Sequence, residues 1–150
     1  MMKMDLEKEM IKLNQHVATK EEAIRLAGKL LVDSGDVEPE YVESMIARNA
    51  DVSTYMGNFI AIPHGTEDGK KFIKKTGISV VQIPMGVDFS EDSQNENVVT
   101  VVFGIAGLNG EHLNLLSQIA LFCSDVNNVV KLADAQSEQE IINLLKEVDK

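Results

Sequence analysis

A chain of 150 residues with 44% apolar and 25% charged content suits one compact domain with a substantial core. Its formal net charge of −10 argues against nucleic-acid binding, which draws on a basic face. The single Cys123 excludes an internal disulfide and a paired-cysteine metal site, and no apolar run nears the roughly 20 residues that span a bilayer. The charged start, MMKMDLEKEM, has no apolar stretch like that of a signal peptide, so a cytoplasmic location is expected.

Ile11 and Leu13 alternate with polar neighbours and admit a short first strand. Thr19 followed three residues later by Glu22 is a capping box. Behind it Ala23, Ile24, Ala27, Leu30 and Leu31 recur at helical spacing and predict a helix over Lys20–Asp33. Ser34 and Gly35 end it. Pro39 suits the first turn of a second helix, with Val42, Met45 and Ile46 as its buried stripe and Arg48 near its end.

Residues 57–65, GNFIAIPHG, read as a turn, a strand and a second turn. Phe59, Ile60, Ala61 and Ile62 form an apolar run of strand length, and Pro63 biases Ile62 to an extended conformation. Pro63 and Gly65 mark the second turn, with His64 between them. So one of only three histidines sits where a strand leaves the core. It is either a turn residue without a role, or a nucleophile or proton carrier held by a rigid strand.

Residues 66–76 are polar, with Phe72 and Ile73 suggesting one short helix; Lys70, Lys71, Lys74 and Lys75 form a basic cluster that reads first as a solvated face and otherwise as an attractor of phosphate or an acidic partner. GISVVQI at 77–83 is β-branched and predicts a strand, turned by Pro84, Met85 and Gly86. Residues 88–97 form an acidic loop. VVTVVFGI at 98–105 is nearly continuous in apolar residues, as in the middle of an α/β sheet covered on both faces. A glycine-bearing turn then precedes a helix over Glu111–Cys123, with a core face of Leu115, Leu116, Ile119, Ala120, Phe122 and Cys123. Residues 125–135 predict another helix. Ser137 and Glu140 form a second capping box before a last helix carrying Ile141, Ile142, Leu144, Leu145 and Val148. With no repeats or linker, residues 1–150 read as one α/β domain.

Functional groups in α/β sheets gather beyond the carboxyl ends of strands. His64 follows one strand directly, and His112 follows the strongest strand across a five-residue turn and opens a helix. A helix start carries unpaired N–H groups and a partial positive charge, which favour anions such as phosphate and a neutral imidazole. Arg48 enters the same neighbourhood through the 49–58 connection. Two histidines, an arginine and a helix start suit a phosphoryl group carried on one histidine. The two histidines could instead bind a metal with Glu67, Asp68 or Glu111, although a third clear ligand is missing. No GxSxG, Walker A or Rossmann glycine pattern is present, so hydrolase chemistry and ATP or NAD binding are not expected. Cys123 reads as a core residue, and His16 as incidental.

STYMGNFIAIPHG (53–65), GISVVQIPMGVDF and NGEHLNLLSQIA together resemble the enzyme IIA component of the bacterial phosphoenolpyruvate-dependent sugar phosphotransferase system. The resemblance is to its mannitol/fructose class, and most of all to the mannitol-specific component, from about residue 11 to the C-terminal helix. It implies a mixed, mainly parallel five-stranded sheet flanked by helices on both faces. It implies that His64 becomes a tele-phosphohistidine, taking a phosphoryl group from the phosphocarrier protein HPr. The group would pass to a cysteine of the IIB domain of a membrane mannitol permease. The family's second active-site histidine matches His112 and its arginine matches Arg48. No cofactor or metal is implied. Many relatives have glycine where Phe59 stands, and an acidic residue where Asn49 follows the arginine. Nitrogen-regulatory relatives share the IPHG core, so a phosphorylation-dependent regulatory binding module is the alternative.

Two partners reaching one imidazole should share one surface. Its apolar centre is expected at whichever of Phe59 and Ile60 points outward, together with Met85. Glu91, Asp92 and Glu96 are expected at the rim.

Overall fold

The Thr19 hydroxyl accepts from the Glu22 N–H at 3.2 Å, and α1 (Lys20–Asp33) starts there as predicted. This computed structural model describes residues 6–90 and 97–146. The remaining helices among them are α2 (Glu40–Asp51), α3 (Glu111–Cys123), α4 (Val126–Asp134) and α5 (Glu138–Lys146). The second capping box also forms: Ser137 Oγ accepts from the Glu140 N–H at 3.1 Å. The strands are β1 (Ile11–Lys12), β2 (Tyr55–Gly57), β3 (Ile60–Ala61), β4 (Gly77–Asp88) and β5 (Val98–Ala106). The short helix expected at 66–76 is a 3-10 segment, Asp68–Phe72. Val148, Glu91, Asp92 and Glu96 lie outside the described residues.

The strands form one five-stranded sheet in the order β1-β4-β5-β3-β2, with β5 central. β1 with β4 and β3 with β5 are parallel; β4 with β5 and β2 with β3 are antiparallel. The mixed α/β sheet is as expected, but parallel pairing does not dominate it. Only a short connection joins β4 to β5, and a parallel return needs a crossover of a dozen residues or more.

Alternation along β5 feeds two cores. Val101, Phe103 and Ile105 pack with Leu115, Ile119, Leu132 and Ile141 from α3, α4 and α5. Val102 and Ala106 pack on the other face with Ile24, Ala27 and Leu31 of α1 and Tyr41 and Met45 of α2. The helices therefore flank both faces, and α2 and α3, which carry Arg48 and His112, lie on opposite sides of the sheet.

Three local expectations change. β4 does not turn at Pro84-Met85-Gly86 but runs on to Asp88, with its register against β5 shifting between Gln82 and Val87. Proline offers no N–H to a ladder, and Gly86 takes φ +81, so the extra residues bulge out and pairing resumes. Phe59 belongs to the turn before β3, at φ +70 and 45% exposed, the conformation that glycine adopts without strain. The buried stripe of α2 is Tyr41, Met45 and Asn49, while Val42 and Ile46 are only half-buried. No helix among the described residues is long and apolar enough to cross a membrane.

Candidate active site

β3 leaves the sheet at the IPH tripeptide. The Ile62 N–H donates to the Thr54 carbonyl, and the Ile105 N–H donates to the Pro63 carbonyl, both at 3.0 Å. His64 then lies opposite Ile105, at the carboxyl end of β5. Its ring is half-buried, and Nδ1 sits 3.0 Å from the Ile62 carbonyl. A carbonyl can only accept, so Nδ1 carries the proton and the neutral ring keeps its lone pair on Nε2. Burial lowers the His64 pKa from its ordinary 6.5. The Ile62 carbonyl opposes that shift, and the charges of Arg48 and His112 add to it. The imidazole is therefore neutral, and nucleophilic, at pH 7.

His112 stands in the first turn of α3, behind Gly110 at φ +83. The turn before it is held by Thr76, whose hydroxyl accepts from the Leu108 N–H at 3.0 Å and donates to the Glu111 carboxylate. Gly107 packs directly on this turn: a Cβ there would lie 2.2 Å from the His112 backbone nitrogen. His112 Nδ1 is buried with no hydrogen-bonding partner among the described residues. A proton on Nδ1 would be stranded, so the neutral ring carries its hydrogen on Nε2 and acts as a donor there.

Arg48 lies in the last turn of α2, and its Nη1 donates to the Val52 carbonyl at 2.8 Å. That bond anchors one arm of the guanidinium and leaves the rest of its donors for an anion. Asn49 beside it is buried, and its Oδ1 accepts from the Thr54 N–H at 2.9 Å and the Thr54 hydroxyl at 2.6 Å. The amide supplies the acceptor oxygen of an acidic residue without burying a charge, which accounts for the tolerance of Asn49 here.

His64, His112 and Arg48 line one cavity of about 350 Å³, together with Tyr41, Gly65 and Lys70. Lys70 is paired with Glu67 at 3.1 Å. Sequence reading missed Tyr41, although it lies seven residues before Arg48 on α2, two turns along the same face. Among the described residues no three His, Cys, Asp or Glu side chains gather as a metal site, and Glu111 is engaged by Thr76. His16 is exposed and remote in sequence. Cys123 is buried, which pushes its thiol up to about 12 and leaves it inert.

Met85 and Phe59 are not beside this cavity. Ile105 aligns with His64, while β4 resumes pairing at Val87 with Val99, six residues earlier on β5 and about 20 Å away at ~3.3 Å per residue. Phe59, whose carbonyl accepts from the Thr100 N–H, is near that same far end. The exposed apolar side chains next to the site in the chain are Val52 and Leu113, 57% and 59% exposed.

An α/β sheet that presents a neutral imidazole, a second histidine and an arginine around one cavity has the makings of a phosphoryl-handling site. The family model for the phosphoenolpyruvate-dependent sugar phosphotransferase system, EIIA 2, matches residues 4–148, and the chain belongs to that family. It is 60% identical over 131 residues to the mannitol-specific phosphotransferase enzyme IIA component of Enterococcus faecalis, covering 87% of this chain and 90% of that one. The crystal structure of IIA mannitol from Escherichia coli superposes with a TM-score of 0.87 at 41% identity, over 94% of this chain and 99% of the other. A complex of enzyme IIA and phosphorylated enzyme IIB of the mannitol system of Escherichia coli gives a TM-score of 0.89 at 40% identity, over 95% and 98%.

Proposed function

We propose that the protein is the IIA phosphocarrier of a mannitol phosphotransferase system, with His64 as the residue that carries the phosphoryl group. The observation that supports it most is the bond from His64 Nδ1 to the Ile62 carbonyl, which leaves Nε2 as the nucleophilic nitrogen. Nε2 attacks the phosphorus of phosphorylated HPr; the P–N bond of the donor breaks as the new one forms. Nδ1 keeps its proton throughout, and the Ile62 carbonyl stabilises the charge that the ring acquires. His112 Nε2–H and the free donors of Arg48 stabilise the phosphoryl oxygens, a matter of positioning and electrostatics. A cysteine thiolate of the IIB domain then attacks the same phosphorus, and His64 leaves as neutral imidazole.

The similarity to mannitol-specific IIA components over nearly the whole chain supports mannitol as the sugar. The complex of a relative with phosphorylated IIB supports IIB as the acceptor. Residues 1–150 are proposed to act as one IIA domain, in the cytoplasm where phosphoenolpyruvate is made. Incubation with phosphoenolpyruvate, enzyme I and HPr, followed by mass spectrometry, should find one acid-labile, base-stable phosphate on His64. Undiminished labelling of His64→Ala rejects the assignment.

A further inference from the structure

We propose that Tyr41 is a positioning residue for the transfer, its hydroxyl acting as a wedge in the β3–β5 ladder that sets where His64 leaves the sheet. The inference rests on the reading of His64 as the phosphoryl acceptor. β3 and β5 run parallel, Ile60 opposite Val101 and Ala61 opposite Val102. In such a ladder a residue donates and accepts on the two neighbours of its opposite number. Ile105, opposite His64, donates its N–H to the Pro63 carbonyl at 3.0 Å, as the ladder requires. The matching bond on the other side would run from the Gly65 N–H to the Ile105 carbonyl. The Tyr41 hydroxyl stands between them: it accepts from the Gly65 N–H at 2.8 Å and donates to the Ile105 carbonyl at 2.8 Å. The two chains are thus held one oxygen apart at the residue after His64.

The wedge is fixed on every side. Tyr41 is 2% exposed, so its hydroxyl has no solvent to turn to. Burial pushes its phenol up to about 12, against the opposing pull of the Gly65 N–H, and the group stays protonated as a donor. A Cβ at Gly65 would lie 2.4 Å from the Tyr41 ring, so only glycine admits this approach. Tyr41 also shares α2 with Arg48. One hydroxyl therefore joins the helix that carries the guanidinium to the turn that carries the imidazole, and it sets their separation. The sheet alone would let the strand continue flush against β5 past His64.

Tyr41→Phe removes the wedge oxygen and keeps the ring. It should slow transfer from phosphorylated HPr by roughly 10- to 100-fold at saturating donor, the effect of a misplaced reacting group. The KM for the donor should not change, because Tyr41 is too buried to touch a partner. In nitrogen NMR spectra the Gly65 amide and the His64 ring should shift, while Val87 and Val99 at the opposite end of the sheet hold their positions. Gly65→Ala presses on the same contact from the other chain and should slow transfer in the same way, which keeps the test open if Tyr41→Phe does not fold. Transfer at the wild-type rate by either folded variant overturns the proposal. So do shifts spread through both cores with a rate loss that matches the unfolded fraction. His64→Ala run alongside separates the two failures. If His64→Ala still takes up phosphate, the acceptor is wrong; if it is inert while Tyr41→Phe transfers normally, only the wedge is wrong.

Discussion

The rings of His64 and His112 lie 6.4 Å apart, centroid to centroid, and are inclined by 30°. They belong to elements remote in sequence, one leaving β3 and one opening α3. At this separation a positive charge at His112 works against protonation of His64. The gap suits a group of phosphoryl size attached to one ring and hydrogen-bonded to the other.

The pH dependence of phosphoryl acceptance follows from the lowered pKa of His64. Acceptance should fall as pH drops, with a midpoint below the ordinary 6.5, because protonation removes the Nε2 lone pair. The same shift makes the folded state bind fewer protons than the unfolded chain. Stability attributable to His64 is thus present above pH 6.5 and is lost as pH falls through the folded pKa. A titration of the imidazole resonances measures the midpoint. A midpoint above 6.5 contradicts the prediction.

His112→Ala should leave His64 able to take up phosphate but slow onward transfer to IIB about 10²-fold, the typical loss for one preorganised donor. His112→Gln retains an N–H and should recover part of the rate. Rapid-quench measurement of both variants with phosphorylated protein decides this, and unchanged transfer by His112→Ala removes the residue from the mechanism.

Arg48→Lys should impair transfer although it keeps the charge. The guanidinium bonds the Val52 carbonyl with one arm and has further donors for phosphate, and an ammonium cannot reproduce that fork. If Arg48 served only its helix end, its contribution would be under about 1 kcal/mol and both Arg48→Lys and Arg48→Ala would transfer normally. Single-turnover rates of the two variants, with thermal melts to confirm folding, tell these apart.

Partner docking should centre on Val52 and Leu113, and not on Phe59 and Met85 at the other end of the sheet. HPr and IIB should compete for this surface, since each must reach His64, and each contact should bury less than ~1,200 Å² so that it can be released. Leu113→Ala should weaken binding of both partners, while Met85→Ala should leave it unchanged. Chemical-shift titrations with each partner check this. Disjoint footprints, or a ternary complex, exclude a shared surface.

Helix starts, the strands other than β2 (Tyr55–Gly57), and the exit of His64 from β3 were legible in the sequence because they depend on neighbours. A capping hydroxyl reaches three residues, an apolar period repeats within a turn, and a proline restricts the residue before it. His112 and Arg48 were within reach too, since each sits at the end of an element whose pattern is local. Pairing decided the rest. The antiparallel return of β5 on β4 carries Met85 to the end of the sheet away from His64, though both follow apolar strand residues closely in the chain. The φ of Phe59 and the burial of Asn49 depend on β5 and Thr54 being where they are. Tyr41 acts on Ile105 and Gly65, 64 and 24 residues away in sequence. Such a hydroxyl carries no local signal, because what makes it a wedge is the distance between two backbones that only the folded sheet brings together.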